Sequence, residues 1–182
     1  VAAVFDLSKK LELLTFASSR QRDANLGIVQ DSIEQEAESA FATSLQTSGL
    51  HRTRNELDDR GIIQQNSAGG SLKFRHKKLA LGFNGLYEHL DKPLQRSPAL
   101  YNQFYFNGTT LLNLSLDYAW SYRNFYFFGE TARSKNGAVS SVNGLVAAID
   151  RRVDVAVVLR NFDRDYQSLN AKPFAETSGG LN

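Results

Sequence analysis

Leu112-Asn113-Leu114-Ser115-Leu116-Asp117-Tyr118-Ala119-Trp120 sets a large apolar or aromatic side chain at every second position, with small or polar side chains between them. Successive side chains of a strand point to opposite faces. Leu112, Leu114, Leu116, Tyr118 and Trp120 therefore share one face, and Asn113, Ser115, Asp117 and Ala119 the other. A helix would scatter both sets around its axis, so the stretch is a half-apolar β-strand. Residues 153–160 repeat the pattern, with Val153, Val155, Val157 and Leu159 set against Asp154, Ala156, Val158 and Arg160. Residues 79–87 repeat it again, with Leu79, Leu81, Phe83, Gly85 and Tyr87 set against Ala80, Gly82, Asn84 and Leu86.

Outward from these segments, the spacing predicts about eight strands, at 1–7, 11–19, 71–75, 79–88, 103–119, 125–132, 141–149 and 153–162. Their connections alternate in length. Tight turns fall at 8–10, 76–78, 121–124 and 150–152, and longer connections at 20–69, 89–102, 133–140 and beyond 163. Antiparallel strands reverse direction each time, so all the tight turns lie at one end. Short turns at one end and long loops at the other are the arrangement of an outer-membrane barrel. The expected fold is all-β, an antiparallel transmembrane β-barrel over residues 1–182 as a single region. The absence of Met and the loop-like Thr177-Ser178-Gly179-Gly180-Leu181-Asn182 suggest an internal or processed piece of a longer protein. Residues 20–69 read as a long, partly helical loop insertion. Ile33, Ala37, Ala40 and Phe41 recur at helical spacing over 31–45, with Asp31 or Ser32 as cap, and 53–59 suits a second helical turn. Pro93 and Pro98 suit a connection rather than a strand interior.

Composition limits the alternatives. No run approaches the roughly 18 apolar residues of a transmembrane helix, although 42% of the chain is apolar. A barrel tolerates this, because half of each strand can be polar. The charge of +2, from 21 basic and 19 acidic residues, is too balanced to argue for nucleic acid. With no Cys, disulfides and thiolate chemistry are excluded.

Tyr118, Trp120, Tyr122, Phe125 and Tyr126 crowd one tight turn, while Phe104, Tyr105 and Phe106 stand at the other end of the same predicted strand. Twelve steps from Phe106 to Tyr118, at about 3.3 Å each and tilted roughly 40°, span on the order of 30 Å. Phe104, Phe106, Tyr118, Trp120 and Tyr122 are thus candidates for two aromatic girdles at headgroup level. On the opposite face, Asn84, Asn113, Ser115, Asp117, Asp154 and Arg160 are candidate lumen-facing residues, together with Asn143; Glu130 fits either face. Such charges either tune which solute passes or form a paired network that fills the interior. A soluble barrel or sandwich would alternate equally well with its apolar face inward.

Other features carry less chemistry. Ser48 or Thr53 with His51 has the residue types of a hydrolase, but no nucleophile elbow is present. His51, His76 and His89 lack metal-ligand spacing, and no cofactor is implied. Asn107-Gly108-Thr109 and Asn113-Leu114-Ser115 match a glycosylation pattern that arises readily by chance. Lys73, Arg75, Lys77 and Lys78 make one tight turn basic, suited to solvent or to anionic headgroups.

Several stretches carry a resemblance: Thr47-Ser48-Gly49-Leu50-His51-Arg52-Thr53, Tyr101-Asn102-Gln103-Phe104, Phe128-Gly129-Glu130, residues 140–150 and Arg160-Asn161-Phe162. Over most of its length the chain resembles the β-barrel region of outer-membrane proteins of the Bacteroidetes that carry a helix-hairpin-helix domain. The helical module that precedes the barrel in that family is not in this sequence, so the resemblance implies a barrel and an outer-membrane location, and no DNA function. The expectation is a non-enzymatic barrel, channel- or transport-related, passing polar solutes, with residues 20–69 as lid or plug. The alternative is a non-conducting envelope scaffold whose long loops engage a partner protein or surface glycan. Its partners are then outer-membrane lipid and such an envelope protein or glycan.

Overall fold

The computed structural model describes residues 1–29, 39–46, 52–95 and 104–169. The chain runs β1 (Ala2–Ser8), β2 (Leu11–Arg22), β3 (Ala24–Val29), β4 (Ser39–Leu45), α1 (Arg54–Asp58), β5 (Ile63–His76), β6 (Leu79–Leu94), β7 (Gly108–Tyr122), β8 (Phe125–Ser134), β9 (Val139–Asp150) and β10 (Val153–Phe162). All ten strands belong to one sheet, in the order β1-β2-β5-β6-β7-β8-β9-β10. β3 pairs with β4, and β4 meets β6 at the parallel bridge Ala42↔Leu94. The hairpins β1–β2, β3–β4, β7–β8 and β9–β10 are antiparallel. The sheet is not closed, because β1 and β10 each have one strand neighbour among the described residues.

The four tight turns are two-residue connections at 9–10, 77–78, 123–124 and 151–152. Lys77 and Arg123, each the first residue of its turn, adopt φ of 52°. Positive φ there matches the right-handed twist of the flanking strands.

Residues 20–69 are not a helical insertion. β2 runs on to Arg22, β3 and β4 form a hairpin, and β5 already begins at Ile63. Ala40 and Phe41, read from sequence as helical, lie in β4, opposite Ile28 and Gly27. Phe41, Thr43 and Leu45 alternate as well as Ala37 and Phe41 recur, and cross-strand pairing with β3 decides the ambiguity. The 31–38 part of that expected helix lies outside the described residues. The second helical turn is present as α1. Thr53 Oγ1 accepts from Glu56 N at 3.3 Å, and Glu56 Oε2 accepts from Thr53 N at 3.0 Å, a reciprocal capping box. β6 also extends past the expected 79–88 through Pro93, and β7 starts at Gly108 rather than at 103.

The chain divides into two compact units, residues 1–17, 68–87 and 111–182 in the first and 18–67 and 88–110 in the second. The second has an ordinary apolar core of Ala24, Ala42, Ile63, Leu90 and Leu94. The first, which holds all four tight turns, buries little apart from Leu111, Ala138, Ala147 and three serines, Ser115, Ser134 and Ser140.

Candidate functional site: the polar face of the first unit

Strand register assigns every residue of β7 to β10 to a face. Asp117 stands opposite Glu130, Glu130 opposite Val142, and Val142 opposite Arg160. Asn113, Ser115, Asp117, Glu130, Asp154 and Arg160 therefore lie on one side. Leu114, Leu116, Trp120, Phe127, Leu145, Val155, Val157 and Leu159 lie on the other. Asn84 joins the polar side: its Nδ2 donates to Ser115 Oγ at 3.1 Å and to Asp117 Oδ2 at 2.8 Å. Gly82 allows this approach, since a Cβ there would collide with the Asp117 carboxylate. Asn143 is on the opposite side from the one expected. It pairs with Gly129 and Leu159 and accepts from the Tyr118 hydroxyl at 3.0 Å. Its small polar character had suggested the polar face, whereas register follows the odd positions of β9.

Burial along β7 is the reverse of that in a water-soluble sheet. Leu116 is 62% exposed and Ser115 9%. Leu112, Leu114, Tyr118, Trp120 and Tyr122 are exposed, whereas Asn113, Asp117, Ala119 and Ser121 are half-buried. Leu81, Phe83 and Tyr87 of β6 are exposed too, with Gly82 buried between them. Val153, Val155, Val157 and Leu159 of β10 are 40–69% exposed. β10 is open on its other face as well, where Asp154, Val158 and Arg160 are exposed.

Rings gather at the tight-turn end of the apolar face. Trp120 lies 5.6 Å from Tyr122 and 5.5 Å from Phe127, and Phe127 lies 6.2 Å from Phe125. The Arg123 guanidinium stands 5.5 Å from the Tyr122 ring centre. Of the girdle residues expected at the far end, Phe106 is 8% exposed and belongs to the core of the second unit. Phe104 is exposed but precedes β7. The strand begins later than the alternation suggested, so neither is displayed on the sheet.

What covers the polar face at Asn113 and Ser134 is the segment after β10, and sequence reasoning missed it. Asn113 Nδ2 donates to Gln167 O at 3.2 Å and to Tyr166 Oη at 3.4 Å. Gln167 N donates to Ser134 Oγ at 3.4 Å, and Asn136 Nδ2 to Asp165 O at 2.6 Å. The Asp163 carboxylate accepts from Val139 N at 2.7 Å. Burial, and secondarily Glu130, raise the Tyr166 pKa above its ordinary 10.0. Beneath this segment lies a recess of about 350 Å³. Asn113 Oδ1 and Ser71 Oγ, both on its wall, are buried without a hydrogen-bond partner.

The second unit holds a separate polar network. Gln65, fully buried, accepts at Oε1 from Arg20 Nε at 3.1 Å and from Arg22 Nη1 at 3.2 Å. Its Nε2 donates to Glu88 Oε1 at 2.7 Å. The i, i+2 spacing of Arg20 and Arg22 was the available signal, hidden by ending β2 at 19. Of the hydrolase residues, Ser48 and His51 lie outside the described residues, and the Thr53 hydroxyl caps α1. Comparison with protein-family models, with curated proteins and with solved structures finds no match to this chain.

Proposed function

We propose that this chain is the membrane-embedded region of a bacterial outer-membrane β-barrel, akin to the helix-hairpin-helix-bearing proteins it resembles, and that its polar face lines a route for polar solutes. The observation that carries the reading is the inverted burial along β6 and β7, with leucines and aromatic rings outside and Asn84, Asn113, Ser115 and Asp117 covered or half-covered. In water the transfer free energies favour the reverse. In hydrocarbon they favour this arrangement, with rings at the interface. The reading requires closure, because unpaired backbone groups are costly in lipid. The edges of β1 and β10 must join each other or further strands. One observation favours a second reading, a filled and non-conducting barrel: residues 163–168 already occupy the polar face.

Trp120, the only tryptophan, reports on both the bilayer and its depth. In vesicles with brominated acyl chains, its fluorescence is quenched most by bromines near the headgroups. Unquenched emission, with the protein monomeric in water without detergent, would sink the membrane reading. Planar-bilayer conductance then separates channel from filled scaffold.

A further inference from the structure

We propose that the recess on the polar face of the first unit binds a small organic ammonium ion, a protonated alkylamine with a short carbon body. The recess, about 350 Å³, falls within the size range of small-molecule sites. Its wall is apolar at Leu14 and Phe16 and polar at Ser71, Asn113, Glu130 and Tyr166.

The hydrogen-bond balance of that wall selects the ligand. The side-chain amide donors nearby are engaged: Asn113 Nδ2 by Tyr166 and Gln167, and Asn84 Nδ2 by Ser115 and Asp117. What remains is mainly acceptor capacity. Asn113 Oδ1 is buried without a donor, as is the Ser71 hydroxyl, and the Glu130 carboxylate lines the same space. An orphaned buried acceptor costs about 1–3 kcal/mol, so a ligand that supplies donors is favoured. Asp117 sits directly across from Glu130, and like charges so placed destabilise a sheet. Among the described residues, no Lys or Arg lines the recess to relieve them.

An ammonium group has three donors and no acceptor. It can donate to the unpaired Asn113 Oδ1 and to the Glu130 carboxylate on the wall, and its charge offsets that of Glu130. A neutral polyol would bring as many acceptors as donors, and an anion would be repelled. The carbon body would lie on Leu14 and on the Phe16 ring, which can also face the cation. The site stands on the geometry of the recess alone and does not depend on lipid facing the other side of the sheet.

The test is calorimetric titration of the whole chain, in a neutral detergent, with n-butylammonium chloride, and with 1-butanol and butyrate as isosteres. Saturable binding of one butylammonium per chain is expected, at least tenfold tighter than 1-butanol, with no binding of butyrate. Glu130→Gln should weaken butylammonium at least tenfold, while Asp6→Asn, exposed on β1 and not on the recess wall, leaves it unchanged. The comparison of isosteres on the unaltered protein stands even if a variant misfolds. Equal affinity for 1-butanol, binding of butyrate, an unaffected Glu130→Gln variant or no saturable binding would each overturn the proposal. None of these results alters the Trp120 quenching that tests the membrane reading.

Discussion

Replacing Leu116 by Lys separates hydrocarbon from water on the apolar face. From Leu112 to Tyr122 there are ten steps, about 33 Å along the strand at 3.3 Å each. A tilt of roughly 40° projects this to about 25 Å, the height of the apolar band of a barrel. Leu116 is four steps from one end and six from the other, so it falls within about 3 Å of the midplane. A lysine at that depth costs about 2–4 kcal/mol, and near an interface about 0–1 kcal/mol. The folding equilibrium of Leu116→Lys in vesicles should thus fall about 30- to 700-fold, and Tyr122→Lys should be several times milder. The assay is reversible urea unfolding from lipid vesicles, followed by Trp120 fluorescence. The competing case is equally definite. At 62% exposure to water, the same substitution changes stability by no more than about 0.5 kcal/mol. A Leu116→Lys cost below that figure, or one no larger than the Tyr122→Lys cost, refutes the assignment of lipid to this face.

Gly69→Ala should destabilise by about 1–3 kcal/mol, because its Cβ would stand 2.6 Å from the Phe16 ring and 2.7 Å from the Gly85 carbonyl oxygen. Phe16→Ala in the same chain should relieve only part of the loss, as read by urea unfolding, since the carbonyl cannot move aside. Gln65→Leu strips the shared partner from Arg20, Arg22 and Glu88 and should cost about 2–3 kcal/mol; a loss under 0.5 kcal/mol would mean that water replaces the amide. The raised pKa of Tyr166 means that the folded state holds this proton more tightly than the unfolded chain. Its contribution is fully present below the unfolded value near 10 and is lost as pH rises through the folded value. Hydrogen exchange at Gln167 N should show residues 163–168 loosening on that alkaline limb, and Tyr166→Phe should abolish the pH dependence.

Legibility in the sequence followed the range of the interactions involved. The hairpin turns, read at 8–10, 76–78, 121–124 and 150–152 and found at 9–10, 77–78, 123–124 and 151–152, were legible because a hairpin is local, with its register set by a few adjacent residues. β10 was readable to its ends because local alternation runs along Val153–Phe162 and marks its limits. β4 was misread, since seven residues with apolar side chains at several spacings satisfy both periods until β3 pairs with them. The residue type of Phe106 suits a girdle, yet it packs into the core of the second unit.

Alternation alone determined that this chain is an antiparallel all-β protein with its tight turns at one end and one face apolar along β6, β7 and β10. It determined that Asn113, Ser115 and Asp117 travel together, because side chains two residues apart cannot leave a common face. Which face is covered was beyond the sequence, since period two is the same whether the leucines point inward or outward. Long-range register decided that: β8 aligns Glu130 with Asp117, and residues 163–168 fold back onto Asn113 and Ser134. Contacts of this kind join residues up to 54 positions apart, where no local pattern constrains the partner, and only the assembled sheet brings them within bonding distance.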